Sequence, residues 1–154
     1  MAVQSVETIL RDLPFFRGMK PEHIAELAGC ASNVTFRESE KIFRQGERAD
    51  AIYVLRDGRV AVEVEVAGAG EVTVQTLDQD DVLGWSWLIP PYVWNFGARA
   101  VEPVHALALD ARCLRGKCEA DPDLGYALLK RFSEVIVDRL RATRLQLMDI
   151  YAPA

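Results

Sequence analysis

No apolar run in the chain approaches the roughly 18 to 20 residues needed to cross a bilayer, so no membrane-spanning helix is expected. The opening MAVQSVETIL carries an acid early and has no basic n-region. No signal peptide is therefore expected, and the chain is read as cytoplasmic. Cysteine is sparse, with three residues, Cys30, Cys113 and Cys118. Their odd number and wide scatter fit reduced thiols better than a disulfide framework. Cys113 and Cys118 are too far apart for a Cys-x-x-Cys knuckle and Cys30 is remote, so no metal site and no cofactor is expected. Of the two histidines, His23 falls on the polar face of a short helix and His105 in a strand. Both are read as surface or edge residues. There is no glycine-rich phosphate loop, no nucleophile elbow and no paired metal-binding histidine motif, which argues against an enzyme.

An excess of positive charge is also missing. Eighteen Lys and Arg stand against 23 Asp and Glu, for a net charge of -5. That balance argues against the counterion release that drives nucleic-acid binding. Lys130, Arg131, Arg139, Arg141 and Arg144 form the one basic concentration, interleaved with Glu134, Asp138 and Asp149. The spacing reads as a solvated helix face rather than a DNA-contact helix. Asp78, Asp80 and Asp81 lack the glycine and distal glutamate of a calcium loop and read as a solvated turn.

What the chain does have is ordinary globular composition, 50% apolar and 27% charged over 154 residues. That is about one domain, taken here as 1–154. Val6, Ile9, Leu10 and Leu13 recur at helical spacing behind a Ser5 cap, and Pro14 ends the run. A second short helix opens at Pro21, with Ile24, Leu27 and Ala28 on one face. After these N-terminal helices (1–33) the period changes from helical to two. Ala51–Arg56 leads into Asp57-Gly58, a strong hairpin signal. Val60, Val62, Val64 and Val66 then alternate with Ala61, Glu63 and Glu65. Ala67–Gly70 turns the chain into Val72, Val74 and Thr76 or Leu77, and further strands fall near Phe96–Val101 and Val104–Leu109. Such evenly spaced short strands predict a barrel or sandwich over 34–110. Asp121-Pro122 then starts a helix of about 28 residues, closing a C-terminal helical region over 111–151. Leu124, Leu128, Phe132, Val135, Ile136, Leu140, Leu147 and Ile150 follow at spacings of three, four and seven. Its first half is expected on the barrel. Its second half, with Phe132, Ile136, Leu140 and Leu147 on the seam, is expected to pair with a partner helix in a homodimer.

Helix, β-barrel and long terminal helix, in that order, resemble the cyclic-nucleotide-binding domain of catabolite-activator and FNR-type regulators. Three segments carry the resemblance: Ile42 to Val60, with Gly46, Tyr53 and Gly58; Leu77 to Ala100, in the place of the phosphate-binding cassette; and Asp121 to Arg139. It implies a mainly β fold with flanking helices, a jelly-roll or cupin-like double-stranded β-helix with N-terminal helices and a long C-terminal helix. It also implies a regulatory sensor role. Relatives that bind DNA continue into a helix-turn-helix, whereas this sequence stops at Tyr151-Ala-Pro-Ala, so direct DNA binding is not expected.

In the family's working cassettes a Gly-Glu pair opens a short helix, and an Arg with a small residue follows about ten residues later. The acid takes the ribose hydroxyl, and the arginine with helix N-terminal amides holds the cyclic phosphate. Here Gly84 matches but Trp85 stands at the acid. Counted back from Arg99-Ala100, Trp94 falls at the phosphate-binding arginine and Asn95 at the small polar position, with Pro90-Pro91 leaving the register open by one. Arg99 aligns with an outward-facing arginine. The candidate ligand-binding set is Gly84, Trp85, Ser86, Trp87, Leu88, Trp94, Asn95, Phe96 and Arg99. All three tryptophans lie in this loop, with Tyr92 and Phe96. Three readings stay open: rings that plug the cavity, a pocket for a flat or apolar effector, or a patch that docks another protein.

Overall fold

The computed structural model describes residues 5–151. Ala152, Pro153 and Ala154, in the segment used above to argue against a DNA-binding extension, lie outside the described residues. Ser5 accepts the Thr8 amide and so starts helix α1 (Val6–Asp12). A 3-10 turn at Pro14–Phe16 leads into α2 (Pro21–Ala28), which has Pro in its first turn as expected. Eight strands follow: β1 (Ala31–Phe36), β2 (Lys41–Phe43), β3 (Ala51–Asp57), β4 (Val60–Val66), β5 (Gly70–Leu77), β6 (Val82–Leu83), β7 (Gly97–Ala100) and β8 (Val104–Asp110). Two helices close the chain, α3 (Ala111–Ala120) and α4 (Pro122–Tyr151). The strands form two antiparallel four-stranded sheets, ordered β1-β8-β3-β6 and β2-β7-β4-β5, in the expected jelly-roll-like arrangement with flanking helices. Both sheets and the helices feed one apolar core.

The Ala67–Gly70 turn closes a hairpin, with Val66 opposite Gly70. Asp57-Gly58 does not. It carries the chain from β3 in one sheet to β4 in the other. Both edges of β3 are already taken by β8 and β6, so the turn is a corner between sheets. Gly58 is required there: its φ is +90° and a Cβ would sit 2.4 Å from the Pro103 carbonyl oxygen. Asp57 secures the corner by accepting from the His105 amide at 3.2 Å, with the imidazole Nδ1 2.6 Å from the same oxygen.

Several sequence-based expectations are corrected. Period-two structure begins at Ala31, because β1 pairs with β8 from Ala31 opposite Leu109 onward. That pairing delivers Cys30 to the β8–α3 junction, where it forms a disulfide with Cys113 across a Cα–Cα separation of 5.7 Å. Only Cys118 is a free thiol. The 83-residue separation of the bonded pair gave no linear signal. His23 is buried, not on a wet face, because α2 is covered by the α3–α4 elbow near Asp121.

Helix α4 runs 30 residues, and only Leu124, Leu128 and Phe132 are buried. Phe132 therefore leaves the expected dimer seam. Its ring sits against Phe15 (centroids 5.0 Å apart) and Trp87 (5.3 Å), inside the core. Beyond it Ile136, Leu140 and Leu147 are exposed. Arg131 and Arg139 are not simply solvated either: Arg131 donates to the Phe15 and Arg17 carbonyls at 2.8 and 2.7 Å. No helix among the described residues is long and apolar enough to cross a membrane.

Truncating Phe132 removes a ring packed on two sides, so Phe132→Ala should cost about 3–5 kcal/mol in urea unfolding. A loss under about 1 kcal/mol would show that the ring is not part of the core.

Candidate functional site

Between β6 and β7 the chain makes turns but no regular helix. Leu88 donates to the Trp85 carbonyl and Tyr92 to that of Ile89, at 3.1 and 3.0 Å. Pro90 and Pro91 sit mid-loop, where their missing amides disfavour a helix. The loop is stitched to the β2–β3 connection through its backbone. Gly46 donates to the Trp94 carbonyl, Trp94 to that of Glu47, and Ala49 to that of Tyr92, each at 2.8 Å. Three such bonds in parallel hold Trp94 in one orientation.

Trp94 lies flat on Phe43, the ring centroids 3.6 Å apart and the planes 6° from parallel. Phe96 tilts against both. The outer edge of the Trp94 ring presses on Gly84, which takes φ +107°, and a Cβ there would sit 2.4 Å from the ring. Gly84 is thus needed for close approach as well as for its backbone angle. Gly84, Ser86, Trp87, Trp94 and Phe96 are all buried, Trp85 and Leu88 half-buried, and Asn95 exposed.

Arg99 is set apart from the rings by strand alternation. Ala98 and Ala100 of β7 face the core, so Arg99 points to the outer face. There its Nε donates to Glu63 Oε1 at 3.3 Å. The outward orientation expected for this arginine is what the structure has, and no loop arginine replaces it among the candidate residues.

Two arginines that sequence reasoning did not assign to the site brace it instead. Arg115 of α3 donates to the Trp87 carbonyl at 2.8 Å and lies 4.3 Å from the Tyr92 ring centroid. Arg139 of α4 donates to the Val82 carbonyl and sits 5.1 Å from the Trp85 ring. Burial pulls the Arg139 guanidinium down to about 10, opposed by the neighbouring Asp81 carboxylate. Burial likewise pushes Asp81 up from the usual carboxylate range. Interleaved acids made Arg139 look like an ordinary surface residue. Phe43 was the third omission; its position two residues into Ile42-Phe-Arg gave no hint that it would stack on a ring fifty positions away.

A jelly-roll barrel with a loop between its sixth and seventh strands and a long helix leaning on that loop defines a class of regulatory sensor domains. The sequence pattern of the cyclic nucleotide-binding domain matches residues 33–121, more than half of the chain, and the chain belongs to that family. Among curated proteins it is 26% identical over 145 residues to the CRP-like cAMP-activated global transcriptional regulator of Mycobacterium tuberculosis. That match covers 94% of this chain and 63% of the relative, so the chain spans less than two thirds of that protein's length. A solved protein from Geobacter metallireducens is 27% identical with a TM-score of 0.80, covering 90% of this chain and 99% of its own. The N-terminal domain of a transcriptional regulator from Streptomyces coelicolor is 27% identical with a TM-score of 0.67, covering 88% and 94%.

Coupling between Gly84 and Trp94 can be measured. Gly84→Ala should destabilise the wild type strongly and a Trp94→Leu background less, with an interaction energy of about 1 kcal/mol or more in a double-mutant cycle. Strict additivity would mean that the ring does not press on this glycine.

Proposed function

We propose that this chain is a non-catalytic regulatory module, a single domain over 1–154, whose cassette is filled by its own rings and does not hold cyclic AMP or GMP through the family's usual contacts. The supporting observation is the Trp94 ring, stacked on Phe43 with its edge against Gly84, where the cassette would have to open for a sugar phosphate. The residues agree with it. Trp85 replaces the ribose acid, the loop makes turns in place of a helix N-terminus, and Arg99 is engaged with Glu63 outside the barrel. Losing one partner of a buried charge pair costs about 2–5 kcal/mol, roughly 30- to several-thousand-fold in affinity. Calorimetric titration with either nucleotide should show no binding in the low micromolar range. A dissociation constant at or below that range would restore the ordinary second-messenger receptor.

One observation favours a second reading, in which the loop takes a different small effector. Ser86 Oγ and Trp87 Nε1 are buried and have no hydrogen-bonding partner among the described residues. A buried donor left unpaired costs about 1–3 kcal/mol, so an acceptor-bearing ligand or a water would be well received.

The output of the module is assigned to α4. Arg139 and Phe132 tie this helix to Trp85 and Trp87, so a rearrangement of the loop would be felt along it. Past Phe132 the helix exposes Ile136, Leu140, Leu147 and Ile150, the apolar seam of a homodimer, though without Phe132 itself. Another protein with a matching helix is the alternative partner. The net charge of -5 over the whole chain argues against DNA as the direct partner. Light scattering should find a dimer for the wild type and a monomer for Leu140→Glu combined with Leu147→Glu. A monomeric wild type would remove the dimer from the proposal.

A further inference from the structure

We propose that His23, Glu26 and Asp121 form a binding site for a divalent first-row transition ion of the zinc class, with one imidazole nitrogen and two carboxylate oxygens as ligands. One donor atom from each of the three lies within 4.8 Å of the other two. His23 Nε2 and Asp121 Oδ2 are 3.7 Å apart, too long for a hydrogen bond and close to the edge of a coordination shell. Ligands about 2.1 Å from a tetrahedral ion are separated by roughly 3.4 Å, so small side-chain shifts would close the shell.

The imidazole is the second, independent sign. Its side chain is only 6% exposed, and its Nε2 faces Asp121 Oδ2 at 3.7 Å, beyond hydrogen-bond reach. An imidazole so deeply placed and held by no short hydrogen bond keeps a nitrogen lone pair to offer an ion. The carboxylates are placed for the same purpose. Glu26 follows His23 by three residues on α2, so both point from one helix face. Asp121 comes from the elbow between α3 and α4 and divides its two oxygens between tasks. Oδ1 accepts the Leu124 amide at 3.4 Å and caps α4, which leaves Oδ2 toward His23. Two carboxyls facing each other repel when both are charged, and either a shared proton or a cation relieves that. Nitrogen plus carboxylate donors suit zinc or a neighbouring transition ion better than calcium, which takes six or more oxygens. An ion here would pin α2 to the base of α4, the turn from which Leu124, Leu128 and Phe132 reach the core behind Trp87. The histidine that looked like surface filler would become a ligand, with a partner about a hundred residues away.

The test is calorimetric titration of Zn2+ into the chelator-treated full chain, paired with thermal melts. One ion should bind with micromolar affinity or better, and the melting temperature should rise. Asp121→Asn keeps a side chain that can still cap the helix, so the metal-free fold should survive while affinity falls about tenfold or more. Glu26→Gln should do the same. No saturable binding would overturn the proposal, as would unchanged affinity in both variants. Binding retained in both but lost in His105→Gln would move the ion to the Asp57–His105 pair and overturn it equally.

Discussion

The stack of Trp94 on Phe43, with the outer edge of its ring against Gly84, is the contact on which the loop between β6 and β7 depends. Two stacked rings bury a large apolar area and fix each other's planes. A glycine at the edge of the Trp94 ring permits an approach that any side chain would block. The backbone bonds from Gly46, Trp94 and Ala49 then lock the loop to the β2–β3 connection. Packing of this density leaves side chains few alternative positions. Trp87, Trp94 and Phe96 of the loop are accordingly part of the core.

From that contact the effect spreads to the helices. Trp87, one turn along the loop, packs on Phe132, which joins α4 to the barrel and to Phe15. Arg115 and Arg139 reach in from α3 and α4 to loop or strand carbonyls while lying against Tyr92 and Trp85. Guanidinium groups suit this work, since they combine directional donors with a flat face that stacks on rings. Placing Arg139 there costs desolvation, visible in its lowered proton affinity, and the Val82 carbonyl and Asp81 offset it. Loop and helix are thus coupled through side chains at two points, both on the first eighteen residues of α4.

The junction of the barrel with α2, α3 and α4 is held by different chemistry. Pairing of β1 with β8 brings Cys30 beside Cys113, closing the start of the barrel onto α3. The α3–α4 elbow then covers α2, burying His23 next to Asp121. A covalent bond and a polar cluster therefore fix the base from which α4 projects. The second half of the helix touches the barrel through Arg139 and through Gln146, which donates to the Val74 carbonyl at 2.9 Å, and leaves Leu140, Leu147 and Ile150 exposed.

The amino-acid sequence alone determined the order of elements and the family. Periodicity of 3.6 and of 2, the Ser5 and Asp121 caps and the positive-φ glycines are local signals, and each is decided by a residue and its near neighbours. It also determined that a tryptophan follows Gly84 in this loop, because that is identity at one position. Only the tertiary structure decided the rest. Asp57-Gly58 became a corner because both edges of β3 were already occupied. Phe132 went to the core instead of the seam because Phe15 and Trp87 converge on it. The Cys30–Cys113 bond, the Phe43–Trp94 stack and the His23–Asp121 approach each join residues fifty or more positions apart, and Arg139 likewise meets Trp85. Such contacts depend on how strands pair and helices dock. No spacing along the chain encodes those distances.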